Sequence, residues 1–153
     1  MKLTATLLKF SWFACFPHTL QLVIKDGFKN AYLQELINMI RAIASYFNRS
    51  TKACDALKNL QKRLKLKELK LIRDTDTRWS ATLGMLKRFI EIEHLVHQVV
   101  KDLKIRQLNW PSISEIEELK MINDILEPFQ VLTTMMSSEN KVTASPVNFC
   151  FII

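Results

Sequence analysis

Glycine and proline are scarce in this sequence: 2 and 4 among 153 residues. So few chain breakers exclude a protein built from many tight turns and short strands, and they favour long uninterrupted helices. Cysteine is scarce as well. Cys15, Cys54 and Cys150 are odd in number, far apart and form no C-x-x-C pair, which excludes a disulfide framework and points to a reducing, intracellular compartment. No apolar run is long enough to span a bilayer, the terminal "FCFII" included, so no membrane partner is expected. The opening "MKLTATLLKFSWFACF" is interrupted by Lys9 and no small-x-small cleavage site follows, so it does not read as a secretion signal. There is no fixed-period repeat and no low-complexity tract. G-x-x-x-x-G-K-[ST], G-x-S-x-G and H-E-x-x-H are all missing, which removes the commonest phosphate-loop, serine-hydrolase and zinc-protease signatures.

What remains is apolar and basic. Hydrophobic residues make up 48% of the chain, enough for one domain with a buried core. The net charge of +7 is unevenly spread. Met1–Pro111 carries 20 Lys and Arg against 9 Asp and Glu, whereas Ser112–Ile153 carries 2 against 6. The densest basic run is "KNLQKRLKLKELKLIR", residues 58–73. Such a run attracts phosphate backbones, although lysines interleaved with leucines also serve as a plain solvated helix face.

Apolar spacing predicts an all-α fold. "HTLQLVIKDGF" has Pro17 at a position suited to a first turn and Gly27 at an end or kink. "AYLQELINMIRAIASYF" has apolar residues at 33, 36, 37, 40, 43, 44 and 47, a helical stripe. Ser50 or Thr51 suits the cap of a following helix with Ala53, Leu57, Leu60 and Leu64 on one face. A further helix follows Trp79, then a connector "KDLKIRQLNWP". A last helix is expected to begin at a Ser114–Glu117 capping box and to bend or stop at Pro128. "FSWFACF" alone alternates in the manner of a strand, and "SSENKVTASP" reads as a polar loop. Residues 1–16 are thus expected to be a terminal segment, short and extended, and 17–153 a helical domain.

Three clusters are candidates for chemistry. Cys15 and His18 make half of a zinc site, and zinc needs three or four ligands. Glu91, His94 and His97 give one Glu-x-x-His, where di-metal bundles need two such motifs and two further glutamates. No metal and no other cofactor is therefore expected. Asp74 and Asp76 would suit a divalent cation only if a further carboxylate converged on them from elsewhere. Two aspartates just before a helix more often favour its positive end, with Thr77 nearby as a cap.

Taken together, four segments resemble the hAT-superfamily DNA transposases and the BED-finger proteins derived from them. "CFPHTLQLVIKDGF" resembles the family's C-x-x-H-x-L-N-L-x-x-x-D stretch, and "SYFNRSTKACDALKNLQ" its F-x-x-S-x-x-x-x-x-x-L helix pair. "LIRDTDTRWSATLGMLKRFIE" is similar to its T-R-W-N-S-T block. "ILEPFQVLTTMMSSENKVTASPV" is similar to its L-x-P-F block. Ser80, Ala81 and Pro17 depart from the family's Asn, Ser and Ala. The resemblance implies the edge of an RNase-H-like core plus the start of the helical domain inserted into it.

The resemblance also implies roles. Cys15 and His18 match the family's C-x-x-H. Trp79, beside Arg78, matches a tryptophan that stacks on a flipped-out base at the DNA end. The family's metal-binding triad of two aspartates and a glutamate matches no motif in residues 1–153, so the expectation is a truncated, non-catalytic piece and not an enzyme. The expected partners are DNA, the remainder of a transposase-like protein or a homologous subunit, and the expected location is the nucleus, otherwise the cytoplasm. Nucleic-acid contacts are expected at Lys58, Lys62, Arg63, Lys65, Lys67, Lys70, Arg73, Arg78 and Trp79. The alternatives are a helical protein-interaction module and a gene product without function. A piece whose helices have lost packing partners is further expected to be marginally stable.

Overall fold

The computed structural model describes residues 16–74 and 78–136, and the described residues are all-helical. Five helices follow one another: α1 Phe16–Gly27, α2 Ala31–Arg49, α3 Thr51–Arg63, α4 Trp79–Asp102 and α5 Ile113–Met136. The strand-like "FSWFACF", but for Phe16, and the polar loop after Met136 lie outside the described residues. None of the helices is long and apolar enough to cross a membrane.

The centre of the fold is α4, which packs on each of the other four helices. Its stripe runs from Trp79 through Leu83, Leu86, Phe89 and Val96 to Val100, and all are buried. Against it lie Leu36, Ile37, Ile40, Ile43, Ala44 and Phe47 of α2, the residues that the spacing selects, with only Leu33 left partly open. α3 adds Ala53, Leu57 and Leu60, but Leu64 is half exposed because it is the C-cap, where the helical face ends. Among the described side chains of α1, Leu20 and Ile24 reach the core, while Leu22 and Val23 are exposed.

Local chemistry sets the boundaries. The Ser50 hydroxyl accepts from the Ala53 amide and starts α3. The capping box of α5 lies one pair earlier than the spacing suggests. The Ser112 amide and hydroxyl donate to Glu115 Oε2 at 2.6 and 2.7 Å, and the Glu115 amide returns a bond to Ser112 Oγ. Ser112 wins because Pro111 precedes it and keeps the chain extended up to the cap. Pro128 does not end α5, which continues to Met136.

α3 and α4 end without glycine. Lys65 and Lys104 adopt left-handed backbone conformations, φ 55° and 52°, directly after the C-caps Leu64 and Leu103. At each, two bonds close the last turn: Leu66 N–H to Gln61 and Lys65 N–H to Lys62, then Ile105 N–H to Val100 and Lys104 N–H to Lys101. This is the Schellman arrangement, usually completed by Gly. Here lysine accepts the steric cost of about 1–2 kcal/mol that side chains meet in this region. The scarcity of glycine therefore does not mean a scarcity of turns.

Candidate nucleic-acid interface

The seven basic residues of the 58–73 run divide between the end of α3 and the irregular segment after it, and every one is exposed. The segment stays close to the body because side chains from three helices hold its backbone. Gln61, 1% exposed, donates to the Leu69 carbonyl and accepts from the Leu69 amide, both at 3.0 Å. Asn48 Nδ2 donates to the Leu71 carbonyl at 3.2 Å and Arg88 Nη1 to the Lys70 carbonyl at 3.1 Å. Leu71 is buried and Leu69 half-buried, while Lys67, Lys70 and Arg73 stay in solvent. Lys58 and Lys62 both face Glu68, at 3.5 and 3.7 Å, and these half-exposed pairs bring little stability. The acids of α5 engage other partners: Glu127 pairs with Lys87 and Glu118 accepts from Tyr32. The basic strip therefore keeps its positive charge at the surface.

The two ends of the "RDTDTRW" stretch are corrected by the structure. Asp74 is buried, 6% exposed, and does not cap the helix. Arg41 of α2 grips it through two bonds, Nε to Oδ1 at 2.8 Å and Nη2 to Oδ2 at 2.6 Å, and Thr82 Oγ1 donates to Oδ2 at 3.0 Å. The bonded guanidinium holds the Asp74 carboxyl below the usual carboxylate range, burial opposes this, and Thr82 adds to it. Asp76 and Thr77 lie outside the described residues. The N-cap of α4 is Arg78, whose side chain makes no capping bond. Trp79 does not offer a face to a base. At 2% exposed it is the largest fully buried side chain, and its ring is part of the core. A fully desolvated ring at a helix start is already packed on its neighbours, so stacking would require it to leave them.

The metal candidates are engaged or dispersed. His18 is exposed and Cys15 lies outside the described residues. Glu91 accepts from Arg88, His94 is exposed, and His97 stacks on Trp110 at 4.6 Å with the rings 9° apart. Trp110 also meets Phe89 at 5.6 Å, so the connector 103–112 is fastened over α4 by aromatic packing. Residue spacing does not reveal the side chains that position the interface. Arg41, Gln61, Asn48 and Arg88 are polar groups whose partners lie 8 to 33 positions away. The one available signal is Gln61, a polar residue set among the inward Leu57 and Leu60 of α3.

With the helical order and the Arg78–Trp79 pair placed at the start of the central helix, comparison with known proteins decides the family. The ZBED1 RNase-like helical domain matches residues 13–127, three-quarters of the chain. The chain belongs to this family. A relative within the BED-type group is human zinc finger BED domain-containing protein 4, 27% identical over 140 residues. That alignment covers 91% of this chain and 12% of the relative, so the chain spans about an eighth of that protein's length. No solved structure matches the chain. The RNase-like helical domain assignment agrees with the all-helical architecture and with the resemblance carried by the C-x-x-H and T-R-W blocks.

Proposed function

We propose that residues 17–153 form a non-catalytic helical domain of a nuclear, hAT-transposase-derived protein, and that it binds nucleic acid through the exposed strip of Lys58, Lys62, Arg63, Lys65, Lys67, Lys70 and Arg73. The single observation that supports this reading is the exposure of all seven on the end of α3 and on the following segment, whose backbone is fastened to the core. Basic side chains on a fixed backbone track a strand of phosphates at a lower ordering cost than a free tail. Membership of a BED-type family is in keeping with it. Against a catalytic role stands Asp74, whose two oxygens are already occupied by Arg41 and Thr82. A carboxylate so engaged has to break those bonds before it binds a metal. Trp79 enters the proposal as a structural residue.

The test is a titration of the full chain with a single-stranded oligonucleotide over a series of salt concentrations. Binding is expected to weaken steeply with salt. Replacing Lys62, Arg63 and Lys67 together by Gln is expected to reduce the slope of log affinity against log salt by about 0.7 for each phosphate no longer neutralised. Binding that ignores salt, or a slope unchanged in the triple variant, overturns the reading.

A second reading rests on α5, where Ile113, Met121, Ile125, Val131 and Met135 are exposed. An apolar surface of this kind favours a protein-interaction module. It predicts that Ile125→Glu abolishes association with a protein partner and leaves the salt slope on DNA unchanged.

A further inference from the structure

On the side of the molecule built by α1, the first half of α2 and the start of α4, a pocket of about 250 Å³ opens beside Arg78. None of the seven strip residues lines it. Among the described residues every charged side chain that lines it is positive: Lys25 near the end of α1, Lys29 in the connector after it, Arg41 from α2, and Arg78 at the start of α4. Its apolar wall includes the edges of the buried Phe28 and Trp79. Two acids offset part of the charge. Asp26 pairs with Lys29 at 2.9 Å, and Asp74 holds Arg41. Lys25 and Arg78 have no ion-pair partner among the described residues. Among the described residues, four positive charges stand against two negative ones, with Lys25 and Arg78 left to face the concavity.

We infer that this pocket is a binding site for a phosphate monoester group. The charge matches, because a phosphate monoester carries about −1.5 to −2 near neutral pH. The size matches as well. The volume lies under the ~300–1,000 Å³ usual for drug-sized ligands, so the pocket takes one charged group and the atoms next to it, not a whole dinucleotide cofactor. The geometry is partly prepared in advance. The bonds to Asp74 and Asn38 fix the Arg41 guanidinium in the wall with its Nε–Nη2 fork already occupied, so Arg41 shapes the pocket and the unpaired cations supply the charge that meets the ligand. Lys25 and Arg78 are the arms left to close on the ligand. Such a group has two sources, the 5′ end of a nucleic-acid strand or a free small phosphate. The inference goes beyond the basic strip and does not depend on it, since the strip reads internal phosphates along a chain and the pocket reads a terminal one.

The experiment is calorimetric titration of the full chain with inorganic phosphate, and with two thymidine tetranucleotides that differ only in a 5′-phosphate or a 5′-hydroxyl. The phosphorylated strand is expected to bind about tenfold tighter or better, the scale of one additional charge-assisted hydrogen bond. The double variant Lys25→Gln/Arg78→Gln is expected to remove that preference. The strip variant Lys62→Gln/Arg63→Gln/Lys67→Gln is expected to lower both affinities and keep their ratio, so failure of the pocket and failure of the strip are told apart. Inorganic phosphate competing as well as the phosphorylated strand assigns the site to a free phosphate; competing poorly, it assigns the site to a strand end. Far-UV circular dichroism checks the double variant, and if it unfolds, Lys25→Gln alone is used with the same reading. Parent protein with no phosphate-dependent binding in either arm, or a preference that survives the substitutions, overturns the inference.

Discussion

The kernel made by α2, α3 and α4 and the outer helix α5 are built to different standards. In the kernel the apolar stripes face one another, and Asp74, Gln61 and Thr82 are buried with their hydrogen bonds made. Among the described side chains of α5, Ile116, Leu119 and Leu126 are buried, while Ile113, Met121, Ile125, Phe129, Val131 and Met135 stay exposed. Two of its side-chain oxygens, Asn123 Oδ1 and Gln130 Oε1, are buried without a hydrogen-bond partner among the described residues. The kernel satisfies itself. α5 is attached to it by one buried edge, the Lys87–Glu127 pair and the Tyr32–Glu118 bond. Stability is then expected to be uneven, with α5 opening before the kernel does.

The largest effect is expected in the kernel. Trp79→Ala removes the largest fully buried side chain and leaves a cavity beneath α4, at a cost of about 3–5 kcal/mol. That is a large part of the stability of a small domain, so partial unfolding in dilute denaturant is expected. A large side chain removed from α5, Phe129→Ala, is expected to cost far less because the ring is already 37% exposed. Chemical denaturation of both variants checks the contrast. Equal losses would show that α5 and the kernel unfold as one unit of similar standing.

Asp74→Ala comes next. It removes the carboxylate that grips the Arg41 guanidinium, which is a quarter exposed, and loosens the end of the segment that follows α3. Removing one partner of a buried pair costs about 3 kcal/mol at the lower, partly solvated end of the usual range. The same pair makes the kernel acid-sensitive. The folded Asp74 carboxyl is held below its ordinary value by Arg41, so its contribution is fully present above the unfolded value near ~3.9 and is lost as pH falls through the folded one. Melting temperature measured from pH 7 down to pH 2 is expected to fall less steeply at the acid end in Asp74→Asn than in the parent. Parallel curves would remove Asp74 from the account.

How much of this contrast is legible in the sequence follows from what each stripe is made of. The inner faces of α2 and α4 are readable because Leu36, Ile37, Ile40 and Leu83, Leu86, Phe89 recur at the helical period, and hydrophobic burial follows period directly. α5 carries apolar residues almost all round, so the spacing rule selects Ile125, 65% exposed, along with Leu119, fully buried. The basic strip is readable as a run, since charge needs no partner to be seen. The Asp74–Arg41 grip is not, because it joins residues 33 apart and neither carries a mark of its fold-distant partner. The same holds for the pocket at Arg78, whose four cations come from α1, the connector after it, α2 and the start of α4. For Trp79 the resemblance transmits a role but not an exposure, and the packing around the residue buries its ring in the core.

Gly84→Ala is expected to strengthen the kernel by about 0.5–1 kcal/mol. Gly84 lies inside α4, where glycine is the poorest helix former but proline. An added Cβ there meets nothing within 4 Å, and no positive φ requires glycine. The gain is expected in the denaturation midpoint, with hydrogen exchange slowed across α4 and left unchanged in the C-terminal half of α5. Slowing of equal size in α5 would show that the two regions share one opening event.

The smallest global effect and the sharpest regional one are expected from Tyr32→Phe. Tyr32 stands in the first turn of α2, and its hydroxyl donates to Glu118 Oε2 of α5 at 2.7 Å. That bond to a carboxylate, aided by local desolvation and by the charges of Glu118, Glu115 and Glu35, pushes the phenol up to about 12. A raised folded value means that the contribution is present throughout the physiological range and disappears only as pH rises through about 12. Because the pair is exposed, its removal hardly changes the global midpoint. It does remove the Tyr32–Glu118 tie and leaves the Lys87–Glu127 pair between α5 and the kernel. Amide exchange is therefore expected to quicken several-fold over Ile116–Leu126 and to stay as it was in α2 and α4, since local openings are read by exchange even where global unfolding is not altered. If exchange in α4 quickens by the same factor, α5 is not a separate, more weakly held layer, and the division between kernel and outer helix fails.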